Sequence, residues 1–245
     1  MAQYDTIAFD YQEIAAGVPL REPEWYSLRR RLGDLTGLSV LDLACGDGMG
    51  TRLLKRWGAA RVVGVDISEQ MIRLAQQQEQ AQPLGIEYQV ADAAMLGKIG
   101  PFDRVTASYF LHYARNREQL HHMVRTIYDN LEPGQHFVGS NANPLQPPQP
   151  IIDQRKYGLR YELMDETLHE GATLRATLFL GENTVEFDFY WLPWTAYEEA
   201  FRTVGFRSWK VEPYLIPPDS ERKYGEGFWD EYIAAPSVVH ITCQK

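Results

Sequence analysis

The stretch VLDLACGDGMG (Val40–Gly50) sets three glycines, Gly46, Gly48 and Gly50, at the end of an apolar run. A second pattern, MGTRLLKRWG, starts inside it, with Leu53, Leu54 and Trp57 at helical spacing and Gly58 closing the helix. The reading is strand, glycine turn, helix. Glycines at such a turn let backbone groups approach a ligand where a Cβ would collide. A dinucleotide fingerprint, G-x-G-x-x-G, would need its third glycine at the position of Thr51, and Gly50 comes one place early. Asp42 stands instead inside the strand, four residues before Gly46.

Outward from this turn the chain alternates. RVVGVD (Arg61–Asp66) reads as a second strand, and SEQMIRLAQQQ follows with Ser68 as N-cap and Met71, Ile72, Leu74 and Ala75 on one face. IEYQVAD (Ile86–Asp92), FDRVTASYF (Phe102–Phe110) and HFVGSN (His136–Asn141) continue the strands, with the helical REQLHHMVRTIYDNL between the last two. Repeated strand–helix alternation predicts a parallel sheet with right-handed crossovers.

After Asn141 the texture changes. NPLQPPQP (Asn143–Pro150) suits neither a helix interior nor a central strand and reads as a linker. TLRATLFL and TVEFDFYW flank the turn GEN (Gly181–Asn183), and Val185, Phe187, Phe189 and Trp191 alternate with Thr184, Glu186, Asp188 and Tyr190, as in a hairpin with one apolar face. A helix ending at Gly205 and the strands RSWKVEPY and SVVHITCQ complete the pattern.

Composition limits the function. The chain has 245 residues, 44% hydrophobic and 23% charged, which suits one α/β domain with an insertion. No apolar stretch approaches the roughly 20 residues of a membrane span, and the first residues lack the basic start and apolar segment of a secretory signal. The net charge of −9 argues against a polyanionic partner, so neither nucleic acid nor membrane is expected. Arg29–Arg31, the densest basic run, reads as a solvated helix face. Cys45 and Cys243 fit a reducing cytoplasm and form no ligand cluster, so no metal is expected and Cys45 reads as packed rather than nucleophilic.

The loop LDLACGDG, with its acid before a G-x-G turn, resembles motif I of the class I S-adenosylmethionine-dependent methyltransferases, and the resemblance covers roughly residues 40–141. It implies a doubly wound, Rossmann-like α/β sheet with a β-rich cap inserted after the fifth strand. The cofactor is then S-adenosylmethionine and the product S-adenosylhomocysteine. That cofactor carries no pyrophosphate, so the loop carbonyls and the Asp42 carboxylate can face a cation. The resemblance implies cofactor contacts from Tyr11, Arg21, Asp42, Ala44, Gly46, Gly48, Asp66, Ile67, Met71, Asp92, Ala93 and Ser108. Asp66 would accept the ribose hydroxyls, although dinucleotide folds also use an acid there. Asp92 would lie near the adenine amino group. Taken alone, either acid also reads as a helix N-cap.

FDRVTASYFLHY resembles the segment that passes beneath the reacting atoms in this family. Tyr109 and His112 would flank the reaction, and either can assist loss of a proton from the acceptor; His112 reads equally as a packed core residue. YDTIAFDY resembles an N-terminal segment that closes over the cofactor, with Tyr11 and Arg21 at the methionine carboxylate and Tyr4 toward substrate. Having few apolar anchors, it is expected to be mobile. The expected units are an N-terminal helical lid (1–36), a cofactor-binding core (37–142), linker and cap (143–193) and completion of the sheet (194–245).

The cap should hold a small-molecule acceptor, with hairpin aromatics such as Trp191 stacking and Glu186, Asp188, Tyr190 and His112 supplying acceptors and donors to ring N–H and carbonyl edges; aromatic residues in a cap also serve as core. The N-terminal segment, the proline linker, the β-rich insertion and GEGFWDEYIAAP are similar to those of azapteridine N-methyltransferases of the toxoflavin synthase kind. The expected function is therefore N-methylation of a polar heteroaromatic metabolite by a cytoplasmic monomer or homodimer. O-methylation of a phenol or carboxylate, and ligand binding without catalysis, remain open alternatives.

Overall fold

The computed structural model describes residues 2–146 and 151–245. Two helices lead, α1 (Ala8–Gly17) and α2 (Arg21–Leu32). The core follows as β1 (Ser39–Leu43), α3 (Met49–Arg56), β2 (Arg61–Asp66), α4 (Glu69–Ala81), β3 (Glu87–Val90), β4 (Phe102–Ser108), α5 (Arg117–Asn130) and β5 (Leu131–Ala142). An antiparallel sheet of β6 (Ile151–Gln154), β7 (Leu159–Leu163), β8 (Thr173–Leu180) and β9 (Asn183–Tyr190) is inserted next. The chain then returns through α6 (Trp194–Val204), β10 (Ser208–Pro213), α7 (Ser220–Tyr224), α8 (Asp230–Ala234) and β11 (Val238–Gln244).

The large sheet has the order β10-β11-β5-β4-β1-β2-β3. Strands β1 to β5 pair in parallel, whereas β11 runs antiparallel to both β5 and β10. Because β1 lies between β2 and β4, the connections leave it in opposite directions, and a crevice opens at the carboxyl ends of β1 and β4. The strand period of two feeds both faces: Val40 and Val62 join Leu28, Leu32 and Leu54 on one side, while Leu41, Leu43, Val63 and Val65 join the α5 and α6 residues on the other.

The expected doubly wound sheet with a cap after the fifth strand is the fold observed, and β2 has the expected limits. Other elements differ in detail. β3 is confined to Glu87–Val90, and β4 stops at Ser108 because Tyr109 turns to a φ of 62°. The hairpin turn is only Gly181–Glu182, with Asn183 already in β9. β6 and β7 escaped the sequence reading. Of the linker, Asn143 is tied to Pro236 and Ser237, and residues 147–150 lie outside the described residues.

The supposed lack of apolar anchors in the N-terminal segment is also corrected. Ile14, Ala15, Val18 and Leu20 are buried with Leu174, Leu178, Val185, Phe187 and Phe189 of the cap, and with Tyr214, Trp229 and Tyr232 of the C-terminal segment. This is one core shared by three parts of the chain. Of the basic run, Arg29 and Arg30 are solvated, whereas Arg31 donates to the Pro213 carbonyl at 2.8 Å and pairs with Glu212.

Gly158, at φ +87° just before β7, fixes the distance between cap and α1: an added Cβ would lie 2.6 Å from the Val18 Cβ. Gly158→Ala therefore meets both backbone strain and a clash, and it should destabilise the protein by about 1–3 kcal/mol. A urea midpoint lowered at unchanged m-value checks this.

Candidate functional site

Among the described residues two non-glycine residues hold left-handed backbone, Ala44 (φ 53°) and Tyr109 (φ 62°), and they follow the neighbouring strands β1 and β4. Such conformations cost about 1–3 kcal/mol and persist only where surrounding structure enforces them. They bracket the crevice. Between them the turn after β1 continues through Gly46 (φ 56°) and Gly48 (φ 82°). No atom lies within 4 Å of a Cβ built on Gly46, so that loop borders open space, while Gly48 packs against Tyr88 and Ala75. Cys45 is buried, and burial pushes its thiol well above the usual range, as its packed reading requires.

The carboxylate of Asp66 closes the loop from the next strand. Gly46 N–H donates to it at 2.8 Å and Ser68 N–H at 2.8 Å, and burial pushes its pKa up against these bonds. Asp42, also buried, accepts from Thr51 Oγ1 at 2.7 Å; burial raises it to about 7, with the charge of Asp66 adding to the effect. Asp42, Ala44, Cys45, Gly50, Ser108 and Trp25 line one small cavity. Beyond Asp66, Ile67 is 54% exposed, a large apolar side chain left in the open. Asp92 is also exposed and turns its carboxylate onto the N–H of Ala94, and Ala93 is buried.

The N-terminal segment crosses this crevice. Asp5 accepts from Ser68 Oγ at 2.7 Å, Gln12 donates to Asp47 of the glycine turn at 2.7 Å, and Ala8 packs over Met71, which is buried. Tyr4 shares a 2.5 Å hydrogen bond with Tyr113 and meets the rings of Tyr11 and Phe187.

Beneath it lies a buried ionic cluster that sequence reasoning missed in part. Arg21 donates to Glu24 at 2.8 Å, to the Ala15 carbonyl at 2.9 Å and to the Tyr11 hydroxyl at 3.1 Å. Glu24, fully buried, also accepts from Ser140 Oγ at 2.9 Å and Tyr109 at 3.2 Å. The sequence carried a signal for Glu24: it lies four residues before Leu28 and eight before Leu32, on the buried stripe of α2. Arg21 is thus already neutralised within the protein, which reduces the charge it can offer a ligand carboxylate.

Two small cavities, each of about 30 Å³, flank His112. The first is lined by Tyr11, Arg21, Glu24, Tyr109, Tyr161 and Phe187. The second is lined by Asn141, Tyr161, Phe189, Tyr190, Trp191 and Tyr197. His112 is 2% exposed, stacked between Tyr109 and Phe189, and burial lowers its pKa to about 3. Burial also pushes the Tyr109 phenol well above the usual range. Both groups are therefore neutral at pH 7, and neither is a strong base.

The placement of Glu186 and Asp188 corrects one expectation. They occupy the outward face of β9, opposite Val185, Phe187 and Phe189, and Arg175 pairs with Asp188 at 2.8 Å. Strand alternation turns them away from both cavities. Tyr190 and Trp191, at the strand end, do line one, although Arg115 also stacks over Tyr190. Among the described residues no group of three or more His, Cys, Asp or Glu could hold a metal, and no helix is long and apolar enough to cross a membrane.

Residues 40–134 match the family described as methyltransferase domain. The chain is 32% identical over 158 residues to a demethylmenaquinone methyltransferase of Lactococcus lactis, covering 62% of this chain and 60% of that protein. It is 33% identical over 110 residues to a ubiquinone biosynthesis O-methyltransferase of Coxiella burnetii, 44% of this chain and 45% of the other. The chain thus spans 60% or less of the length of these curated relatives. An S-adenosylmethionine-dependent methyltransferase from Mesorhizobium loti superposes with a TM-score of 0.64 at 25% identity, over 91% of this chain and 98% of that one. Residues 40–134 are thus similar to a methyltransferase domain, and the fold of the chain, with its sheet order, is that of an S-adenosylmethionine-dependent methyltransferase.

The residues fit that cofactor. Open space beside Gly46, the Asp66 carboxylate with lone pairs left beyond its two backbone bonds, and the exposed face of Ile67 lie along one edge of the crevice. Buried acids also suit a cationic ligand better than a phosphate.

Two outcomes follow for stability. Glu24→Leu leaves Arg21 buried without its partner and should cost about 3–5 kcal/mol, much of which Arg21→Met added to it should restore; chemical denaturation of the three proteins checks this. For Asp42, the folded pKa of about 7 lies above the unfolded one, so its neutral form is favoured by folding and stability is lost as pH rises from about 4 to 7. Asp42→Asn should match the wild type at pH 4 and exceed it at pH 8 by up to roughly 4 kcal/mol, measured by urea unfolding at both pH values.

Proposed function

We propose that the protein transfers a methyl group from S-adenosylmethionine to the nitrogen of a small, planar, polar heteroaromatic acceptor, azapteridine-like in size. The observation that carries this reading is the meeting, at the carboxyl ends of β1, β2 and β4, of the glycine turn and Asp66 with an aromatic cavity roofed by the cap. The methyltransferase domain matched at residues 40–134 supports it.

On this reading Asp66 accepts the ribose hydroxyls, Ile67, Asp92 and Ala93 border the adenine, and Met71 supports them from beneath. Ala44, Gly46, Gly48, Asp42 and Ser108 surround the methionine end, with Tyr11 and Arg21 above it. When bound, the cofactor supplies a methyl group already activated by its sulfonium. The chain's own residues then orient and enclose. Tyr109 and His112, being neutral, position the acceptor instead of abstracting a strong proton, while Tyr4 and α1 exclude water. Tyr190 and Trp191 offer ring faces.

The similarity to a ubiquinone biosynthesis O-methyltransferase favours a second reading, O-methylation of a phenol. One experiment separates the two: incubation with methyl-labelled S-adenosylmethionine and a panel of pterins, azapteridines, purines, phenols, aliphatic amines and carboxylic acids. Labelling of ring nitrogen is expected. Turnover confined to phenols or carboxylates defeats N-methylation, turnover of aliphatic amines alone defeats the planar ring, and cofactor binding without release of S-adenosylhomocysteine defeats catalysis. Independently, Asp66→Asn should weaken S-adenosylhomocysteine binding by about 1.5–3 kcal/mol in calorimetry.

A further inference from the structure

The second cavity beside His112 holds an unusual set of buried polar atoms. His112 and Asn141, each 2% exposed, line it, and Trp191 completes it at the end of β9. Among the described residues neither the Asn141 Oδ1 nor the Trp191 Nε1 has a hydrogen-bond partner, and neither ring nitrogen of His112 has one of good geometry, its nearest backbone contact being with Tyr109. Buried polar atoms are paired in the great majority of cases, and leaving one unpaired is costly. Here four such atoms come from three residues lining one cavity.

Their roles are fixed by chemistry. The side-chain nitrogen of Asn141 donates to the Ala142 carbonyl at 2.8 Å and to the Tyr197 hydroxyl at 3.3 Å, which identifies Oδ1 as the free acceptor. The indole nitrogen of Trp191 can only donate. His112, held neutral with a pKa of about 3, has one donor and one acceptor nitrogen. A ligand that satisfies the set must offer both a hydrogen-bond donor and a hydrogen-bond acceptor. A carboxylate offers acceptors only and leaves the Asn141 oxygen unpaired. The surrounding surface is aromatic: Phe189 stacks on His112 with centroids 4.7 Å apart, and Tyr161 meets Phe189 at 5.0 Å.

We propose that this cavity is a recognition site for the H–N–C=O edge of a planar cyclic amide, with Trp191 Nε1 donating to its carbonyl and Asn141 Oδ1 accepting from its N–H. That this molecule is also the methyl acceptor rests on the function proposed above; the recognition of the edge does not. If it is the acceptor, the anchoring N–H is not the atom that receives the methyl group.

The test uses the full-length protein saturated with S-adenosylhomocysteine, and calorimetry with quinazolin-4(3H)-one and its 3-methyl derivative, which keeps the ring and carbonyl but lacks the N–H. The lactam should bind, and the 3-methyl compound about tenfold more weakly. Trp191→Phe, which keeps an aromatic ring without the indole N–H, should bind the lactam about tenfold more weakly than the wild type, while its affinity for S-adenosylhomocysteine stays unchanged. No binding of the lactam at millimolar concentration, equal affinity for the two compounds, or an unaltered Trp191→Phe overturns the proposal, and the comparison of compounds on the wild type stands even if the variant folds poorly. Selective lactam binding with no methyl transfer to any member of the panel would leave this site in place and remove the proposed activity. Methyl transfer together with equal affinity for the lactam and its 3-methyl derivative would do the reverse.

Discussion

The arrangement of the whole crevice hangs on one buried carboxylate, Glu24. From α2 it accepts hydrogen bonds from Arg21, from Ser140 on β5 and from Tyr109 after β4. A carboxylate taken from water loses solvation worth several kcal/mol and regains it only when its lone pairs are filled, so the three donors are held in place as a set. Tyr109 then takes up its strained φ, and Arg21, anchored at one end, reaches the Ala15 carbonyl and Tyr11 at the other. The N-terminal helix is positioned over the sheet by a chain of contacts that begins at this acid. Hydrophobic burial of Ile14 and Ala15 against the cap supplies the cohesion, and the ionic cluster supplies the register.

The same cluster bears on the chemistry. With His112 lowered to about 3 and the Tyr109 phenol raised, these two side chains stay neutral near pH 7, and the charges lining the first cavity, Arg21 and Glu24, are paired with each other. Positioning and exclusion of water are then the resources available to such a site, and a leaving group activated before it arrives needs little more. Asp42, Asp47 and Asp66 are all at least nine-tenths buried around the glycine turn, a concentration of acids that would be costly beside a pyrophosphate and is favourable beside a cation.

Periodicity explains what was legible in the sequence. β2 and the Ser68 cap were readable because consecutive apolar residues and an N-cap hydroxyl are local signals. The fold followed from strand–helix alternation, and the glycine turn with its acids pointed to the cofactor. Glu24 was overlooked because a charged residue in a run as polar as REPEWYSLRRR reads as solvent-facing unless its phase relative to Leu28 and Leu32 is weighed. β6 and β7 were overlooked because they are short and mixed in character, with alternate residues such as Asp153, Arg160 and Glu162 facing outward. The anchoring of the N-terminal segment depends on apolar partners far away in sequence, which no local pattern displays.

Glu186 and Asp188 show how a correct element can still carry a wrong role. The hairpin was read with the right alternation, and that alternation itself forbids Phe187 and Glu186 from lining the same cavity. Charge near a ligand must therefore come from elsewhere: from α2, from the ends of β1 and β2, and from neutral dipoles on β5 and the residues after β4 and β9. A cap whose inner face is apolar and whose polar groups sit on the strand ends below it discriminates by hydrogen-bond pattern more than by charge. Unsatisfied neutral dipoles reject a mismatched ligand edge strongly, whereas an apolar wall tolerates one methylene more or less for about 1–3 kcal/mol. On the recognition proposed above, specificity would reside at Asn141, His112 and Trp191, where the cap meets the sheet, and the faces of Phe187 and Phe189 would set only the thickness of what can enter.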